Sequence, residues 1–244
     1  GADDMALGAP GIHHWGEHLP FRGTVGFPEG SRQIMGRIAE LGGHVNAFTS
    51  HVQTVYYASA PKSHWREAAE IVVDLAARPL NRPADIEAER VIIGQEINQG
   101  NTSIDRRRNY QLREALWHGH PLGGRVIGTK ESLAAAKLET IEMMRVASYG
   151  KNRCAVFAAG SFFPEEVNDY IGELLERMPD AQIDVRREQA TYGPLPKWSE
   201  EEHVEESTFD ATIVNLLFPL PEGAYDLDTH NAHSIALQLM SLGS

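Results

Sequence analysis

Residues 14–18 are His-Trp-Gly-Glu-His, a pattern that can carry chemistry only if this stretch of the chain is helical. In a helix, His14 and His18 lie one turn apart on the same side, so both imidazoles can approach a single metal ion. Glu17 lies on that side as well, close enough to take a proton from a water molecule at the metal. The alternative is a chance pattern in a chain with 11 histidines and 34 acidic residues.

A metal site that activates water also needs a third protein ligand and an open position. The helix predicted over 83–99 offers two candidates, Glu89 and Glu96, which lie on one face about 10 Å apart along the axis. One carboxylate could bind the metal while the other supports a ligand from behind, and the spacing does not decide between them. The alternative is a pair of surface glutamates on an acidic protein.

The composition excludes several classes of protein. With 22 basic and 34 acidic residues, the net charge of −12 argues against a nucleic-acid backbone or an anionic membrane surface as the main partner. The single cysteine, Cys154, excludes an internal disulfide and a cysteine-rich zinc module. No apolar run approaches the roughly 20 residues of a membrane span. Basic or neutral peptides remain compatible ligands.

Hydrophobic periodicity predicts an α+β fold, an antiparallel-rich sheet covered by helices, because helices and strands are mixed without strict βαβ alternation. Ser31 is the predicted N-cap of the second helix, and Cys154 is expected in the core of a buried strand. The predicted strands span 45–58 (one long strand or a bent pair), 153–159 and 212–218. The predicted helices span 12–21, 31–41, 63–77, 83–99, 105–117, two segments within 130–149, 164–178 and 226–242.

Several stretches, in the same order, resemble the pitrilysin/insulysin family of zinc metallopeptidases, which includes mitochondrial processing peptidase. Residues 14–24, HWGEHLPFRGT, are similar to that family's H-x-x-E-H-x-x-F-x-G-T signature. Residues 41–49, LGGHVNAFT, are similar to its L-G-G-x-x-N-A-x-T segment. Residues 89–97 match E-R-x(5)-E-I, and 120–121 with 127–129 match its H-P and G-T loop.

The resemblance implies one half-domain of a clamshell metallopeptidase that holds one Zn²⁺ per chain. Carried over by motif position, His14, His18 and Glu96 are the zinc ligands. Glu17 is the general base, and Glu89 is a supporting carboxylate that contributes to catalysis. The implied partners are a peptide substrate and a second half-domain or homologous subunit, in a homo- or heterodimer.

The resemblance also implies a place for the substrate. Asn46, Ala47, Phe48 and Thr49 are expected on an edge strand that pairs with an extended peptide. Residues 1–180 are then expected to form the zinc-binding core and 181–206 a linker with an acidic segment. Residues 207–244 are expected to continue with a strand and a helix, cut before the second half.

The function predicted from these residues is a zinc-dependent endopeptidase subunit that cleaves peptides or small unfolded proteins. One alternative is a non-catalytic structural or peptide-holding subunit of the same family, although such relatives usually lose ligands or the base. A second is an unrelated metal-binding module. One departure from the family pattern is Gly16, where a leucine or methionine is usual, and it is expected to weaken the helix by roughly 1 kcal/mol.

Overall fold

A computed structural model of the chain describes residue 4 and residues 8–181. These residues form helices α1 to α8 and a hairpin of strands β1 and β2. Short 3₁₀ turns precede or follow several helices. The elements are α1 Ile12–His18, α2 Ser31–Glu40, β1 His44–Thr49, β2 Thr54–Ser59, α3 Trp65–Ala77, α4 Pro83–Thr102, α5 Ile104–Leu116, α6 Lys130–Ala135, α7 Leu138–Ser148 and α8 Pro164–Leu175.

The hairpin shows that the β-rich segment predicted over 45–58 is a pair of strands. The strands β1 and β2 are antiparallel, with Ala47 opposite Tyr56, and they are joined by residues 50–53. The turn is closed by the Ser50 N–H, which donates to the Gln53 carbonyl at 2.8 Å. Within the described part of the chain β2 is the only strand paired with β1, so the other edge of β1 has no strand beside it.

Two hydrophobic clusters hold these elements together. One cluster packs α1 against α4, α6 and α7, and each fully buried aliphatic side chain contributes about 1.5–3 kcal/mol. It therefore fixes the helix with the His-x-x-Glu-His pattern against the helix that carries the two glutamates. Its buried members are Ile12, Trp15, Leu19, Ile86, Ile93, Ile97, Leu133, Ala136, Ile141 and Met144. The second cluster joins α2, β1 and α3 through Ile34, Ile38, Leu41, Val45, Ala68, Ile71 and Leu75.

Two glycines allow α1 to approach its neighbours. Gly11 precedes the helix with φ of 87°, and a Cβ there would lie 2.7 Å from the Ile127 carbonyl oxygen. A side chain at this position is therefore excluded by both conformation and space. Within the helix, a Cβ at Gly16 would overlap the terminal methyl of the fully buried Met144. The helix-weakening glycine thus lets α7 pack directly on the α1 backbone.

The α+β fold class is confirmed, with an antiparallel sheet and covering helices, but two local predictions are wrong. Residues 153–159 form no strand, and Cys154 is exposed rather than buried. An apolar run can form a strand only with a partner, and this run pairs with no strand in the described residues. Ser31 is not the N-cap, because Gly30 occupies that position and the Ser31 hydroxyl instead donates to the Phe21 carbonyl at 3.0 Å.

Part of the predicted organisation lies outside the described residues. This applies to nearly all of the linker and acidic segment at 181–206 and to the continuing strand and helix within 207–244. Among the helices of residues 8–181, none combines the length and apolar character that crossing a bilayer requires.

Candidate metal centre

Three side chains from two helices converge beside the hairpin. His14 and His18 project from successive turns of α1, and their ring centroids are 4.5 Å apart. Glu96 of α4 faces both rings, with its Oε2 atom 3.7 Å from His14 Nε2 and 3.9 Å from His18 Nε2. All three possible ligand atoms lie within 4.8 Å of one another. The packing of α1 on α4 therefore brings together residues separated by about 80 positions in sequence.

The donor set fits a zinc ion with three protein ligands and one open position. A tetrahedral zinc ion with bonds of about 2.1 Å separates its ligand atoms by about 3.4 Å. The two histidine–carboxylate separations, 3.7 and 3.9 Å, are only slightly longer. The buried His14 Nδ1 atom has no hydrogen-bond partner within the described part of the chain, while Nε2 of the same ring faces Glu96. Two imidazoles and a carboxylate are common ligands of catalytic zinc.

The two histidines have opposite pKa shifts. Burial, followed by the charge of the neighbouring His18, lowers the pKa of His14 to about 3. The imidazole of His14 is therefore neutral near pH 7, which is the form that binds metals. Burial alone would lower the pKa of His18, but the hydrogen bond to Glu89 and the charge of Glu96 outweigh it and raise that pKa.

Glu89 orients one of the histidines from behind. Its Oε2 atom lies 2.9 Å from His18 Nδ1, and its Oε1 atom accepts a hydrogen bond from Arg22 Nε. Burial would raise the pKa of Glu89, but the hydrogen bonds from His18 and Arg22 lower it, so this carboxyl group is ionised near neutrality. An ionised carboxylate only accepts, so His18 Nδ1 carries the hydrogen and Nε2 is left to face Glu96.

We expect Glu89→Gln to weaken zinc binding, or to slow a zinc-dependent reaction, by about 10- to 100-fold. The amide would weaken the charge-assisted bond that fixes the tautomer of His18 and would leave the Arg22 charge without its carboxylate. The measurement is competitive zinc titration of both forms, with thermal unfolding to verify the fold. Glu87→Gln is the matched control, because Glu87 lies two positions earlier on α4 as an exposed partner of Arg90. Equal zinc affinity in Glu89→Gln and wild type would contradict this role.

Glu17 lies next to the convergent ligands and is held by the hairpin. The hydroxyl of Thr49, at the end of β1, donates to Glu17 Oε2 at 2.5 Å. Burial raises the pKa of Glu17, against the opposing effect of this hydrogen bond, and the charge of Glu96 also raises it. A carboxylate with a raised pKa accepts a proton near neutral pH more readily than an exposed glutamate does. The geometry thus places a suitable proton acceptor beside the candidate metal centre.

The four residues expected to bind substrate all lie on β1. Asn46 and Phe48 are exposed, and Ala47 and Thr49 are half-buried. The Ala47 N–H points away from β2 and is bonded to Asn46 Oδ1 at 2.9 Å. These residues therefore lie on a strand whose second edge pairs with no other strand of the described residues. Thr49 also contacts Glu17, which the sequence did not predict.

Two further residues, Arg22 and Tyr56, support the site although no sequence motif indicated this role. Arg22 pairs with Glu89 across 67 positions, and the hydroxyl of Tyr56 donates to the Gly16 carbonyl at 2.8 Å. This second bond ties β2 to the middle of α1. The charge of Arg22 was visible, but its partner was not, because the pairing depends on the packing of the turn after α1 on α4.

These features define an α+β half-domain whose helices converge on a candidate centre of two histidines and a glutamate. The chain belongs to the insulinase family, peptidase family M16, whose model matches residues 8–130. The expected resemblance is therefore confirmed, and peptidases, including zinc proteases, are the relatives of this chain.

Three comparisons illustrate the relationship. An uncharacterized zinc protease of Mycobacterium leprae is 30% identical over 181 residues, which cover 72% of this chain and 40% of that protein. The mitochondrial-processing peptidase subunit beta of Saccharomyces cerevisiae is 26% identical over 205 residues, covering 84% of this chain and 44% of the relative. A protease from Helicobacter pylori has a similar fold, with a TM-score of 0.66 and 19% identity over 71% of this chain and 42% of that one. The chain thus spans less than half the length of these proteins.

Proposed function

We propose that this chain is the metal-binding half of a zinc-dependent endopeptidase that cleaves peptides or small unfolded proteins. The observation that carries the proposal is the convergence of His14, His18 and Glu96 within 4.8 Å. Glu17 lies on the same helix as the two histidines and is oriented by the hairpin. In this proposal each chain holds one Zn²⁺.

Each residue of the centre has a separate role in this chemistry. When bound, zinc lowers the pKa of a water molecule and polarises a peptide carbonyl. Glu17 would take the proton from the attacking water and later deliver it to the leaving amine. The Thr49 hydroxyl holds Glu17 Oε2, so in this proposal Oε1 is the oxygen that exchanges the proton. Glu89 keeps His18 in the tautomer that presents Nε2.

The substrate would bind as an added strand. The open edge of β1 offers backbone groups to an extended peptide, and backbone pairing accepts many sequences because it does not depend on side chains. The exposed Asn46 and Phe48 and the half-buried Ala47 would line this edge. Because Thr49 ends the strand beside Glu17, a peptide paired with β1 would extend toward the metal centre.

A second half-domain or homologous subunit would complete the enzyme. The chain covers 40% and 44% of the two relatives described above, which leaves room for another half in each of them. Closing that half over the substrate would exclude water and add a donor for the developing oxyanion, an effect commonly worth about 10²–10³ in rate. Residues 1–180 would form the core of the first half, and 181–206 and 207–244 would connect it onward.

The alternative of a non-catalytic subunit is disfavoured by the complete constellation. A subunit kept only for assembly or peptide holding has no need for a buried proton acceptor beside three convergent ligands. Here Glu17 is 8% exposed, and burying it has a cost that a purely structural role does not explain.

Zinc removal tests the proposal. We expect peptide cleavage by the complete assembly, with the second half-domain or homologous subunit present, to be lost after chelation and restored by about one equivalent of Zn²⁺ per centre. The measurement is hydrolysis of a mixed library of unfolded peptides, followed by mass spectrometry. Residues 1–244 assayed without that second half-domain or subunit should be about 10²–10³-fold slower, because no closing half would then cover the substrate. Cleavage that survives complete removal of zinc would overturn the proposed function.

A further inference from the structure

A cavity of about 280 Å³ lies directly beside the candidate metal centre. His14 and Thr49 form part of its wall, and Thr49 is the residue that holds Glu17. Other residues that line the cavity come from α5, including Arg113, and from residues 124–127, including Arg125. The volume is just below the roughly 300–1,000 Å³ of pockets for whole small ligands, so it suits a single side chain or a chain end.

The charges of the cavity are all of one sign. Arg113 and Arg125 line it, and no acidic side chain does. Arg113 Nη1 donates to the Leu122 carbonyl at 3.1 Å, and Arg125 Nη1 donates to Asn101 Oδ1 at 2.9 Å. Neither arginine has a carboxylate within ion-pair distance among the described residues, although the protein carries a net charge of −12. Nine other arginines of the described region do have such partners: Arg22, Arg32, Arg37, Arg66, Arg78, Arg82, Arg90, Arg108 and Arg177.

The arginines are held in place by neutral groups. The Arg125 guanidinium lies 4.5 Å from the centre of the Tyr110 ring, which restricts it without neutralising it. His51, also on the cavity wall, donates from Nε2 to the Gly124 carbonyl at 2.8 Å. Burial and the charge of Arg113 lower the pKa of His51, although the hydrogen bond to Gly124 opposes this shift. The His51 ring therefore adds no positive charge to the cavity near neutral pH. Arg113 and Arg125 are therefore the charged side chains that line the cavity, and neutral groups restrict both of them.

We propose that this cavity is a substrate subsite for a carboxylate close to the scissile bond. The carboxylate would come from a glutamate or aspartate side chain or from the C-terminus of the peptide. Guanidinium groups bind carboxylates through paired, charge-assisted hydrogen bonds, and among the described residues each arginine uses one Nη1 donor of its five N–H groups. Since His14 is shared by the cavity and the centre, a peptide cleaved at the centre would place a flanking residue in the cavity. This inference rests on the proposed peptidase function.

The first test compares cleavage of matched peptides by the protein together with its second half-domain or partner subunit. Peptides differing only by glutamate, glutamine or lysine at each position near the cleaved bond, and peptides with a free or amidated C-terminus, separate the two sources of carboxylate. We expect a preference of about 10- to 100-fold in kcat/KM for the carboxylate at one fixed position. It should fall to near unity in Arg113→Gln/Arg125→Gln. The control Arg106→Gln/Arg108→Gln removes the same charge from α5 outside the cavity and should keep the preference.

A charge reversal distinguishes a specific effect from misfolding, and a binding measurement tests the subsite even if the protein is inactive. Arg125→Glu should shift the preference toward lysine-containing peptides, a gain that a damaged fold would not produce. Fluorescence anisotropy of the same labelled peptides measures the subsite without turnover, so it still tests this inference if no cleavage occurs. Equal binding of glutamate and glutamine peptides by the wild type, or an acidic preference that survives in Arg113→Gln/Arg125→Gln, would overturn the proposal.

Discussion

Replacing Glu17 by glutamine is expected to slow peptide cleavage by about 10²–10⁴-fold while leaving one zinc bound per chain. Glutamine keeps the size of the side chain and can still accept the hydrogen bond that Thr49 donates at 2.5 Å. It cannot take a proton from water. Because the three ligands are untouched, the loss should appear in kcat, and peptide affinity should remain close to wild type.

The experiment measures turnover, zinc content and peptide binding on one preparation of each variant. Glu40→Gln serves as the control, since Glu40 lies on the surface at the end of α2, paired with Arg37 and far from the centre in sequence. If Glu17→Gln retained turnover near that of wild type, another group would be moving the proton and the role of Glu17 would be wrong. If it lost zinc as well, its effect would be structural.

Replacing Glu96 by glutamine is expected to reduce zinc affinity by more than about 100-fold. Glu96 supplies the only carboxylate of the three convergent ligands, so the change removes a ligand and its negative charge together. The loss should exceed the effect of Glu89→Gln, which acts through the orientation of His18 rather than on the metal itself. Glu96 is also less buried than Glu89, so the fold should tolerate the change better.

The local structure around the motif was predictable because it depends on short-range periodicity. The spacing of His14 and His18 requires a helix, and α1 spans Ile12–His18. The seven-residue separation of Glu89 and Glu96 allowed either to face the metal. Only the packing of α1 on α4 brings Glu96 near both Nε2 atoms and turns Glu89 toward His18 Nδ1.

The role of Thr49, the cavity and the conformation of residues 153–159 depend on contacts between residues far apart in sequence, which a local sequence pattern does not reveal. The role of Thr49 follows from the end of β1 meeting α1, across 32 positions. The two arginines of the cavity are 12 residues apart, on α5 and in a loop, and only the folded chain brings both to the cavity that His14 also lines. The apolar run at 153–159 predicts a buried strand, but it forms none, because an apolar composition indicates β-propensity and not the presence of a partner strand.

Zinc content tests the central claim most directly. Purified wild-type protein and Glu96→Gln would be analysed for metal by mass spectrometry, with X-ray absorption of the bound zinc and with Glu17→Gln as the control. The account predicts one zinc per chain in wild type and in Glu17→Gln, with two imidazole nitrogens and one carboxylate at about 2.0–2.2 Å. Glu96→Gln should retain little zinc after dialysis. Full zinc occupancy in Glu96→Gln, or wild-type protein that binds no zinc, would contradict the account.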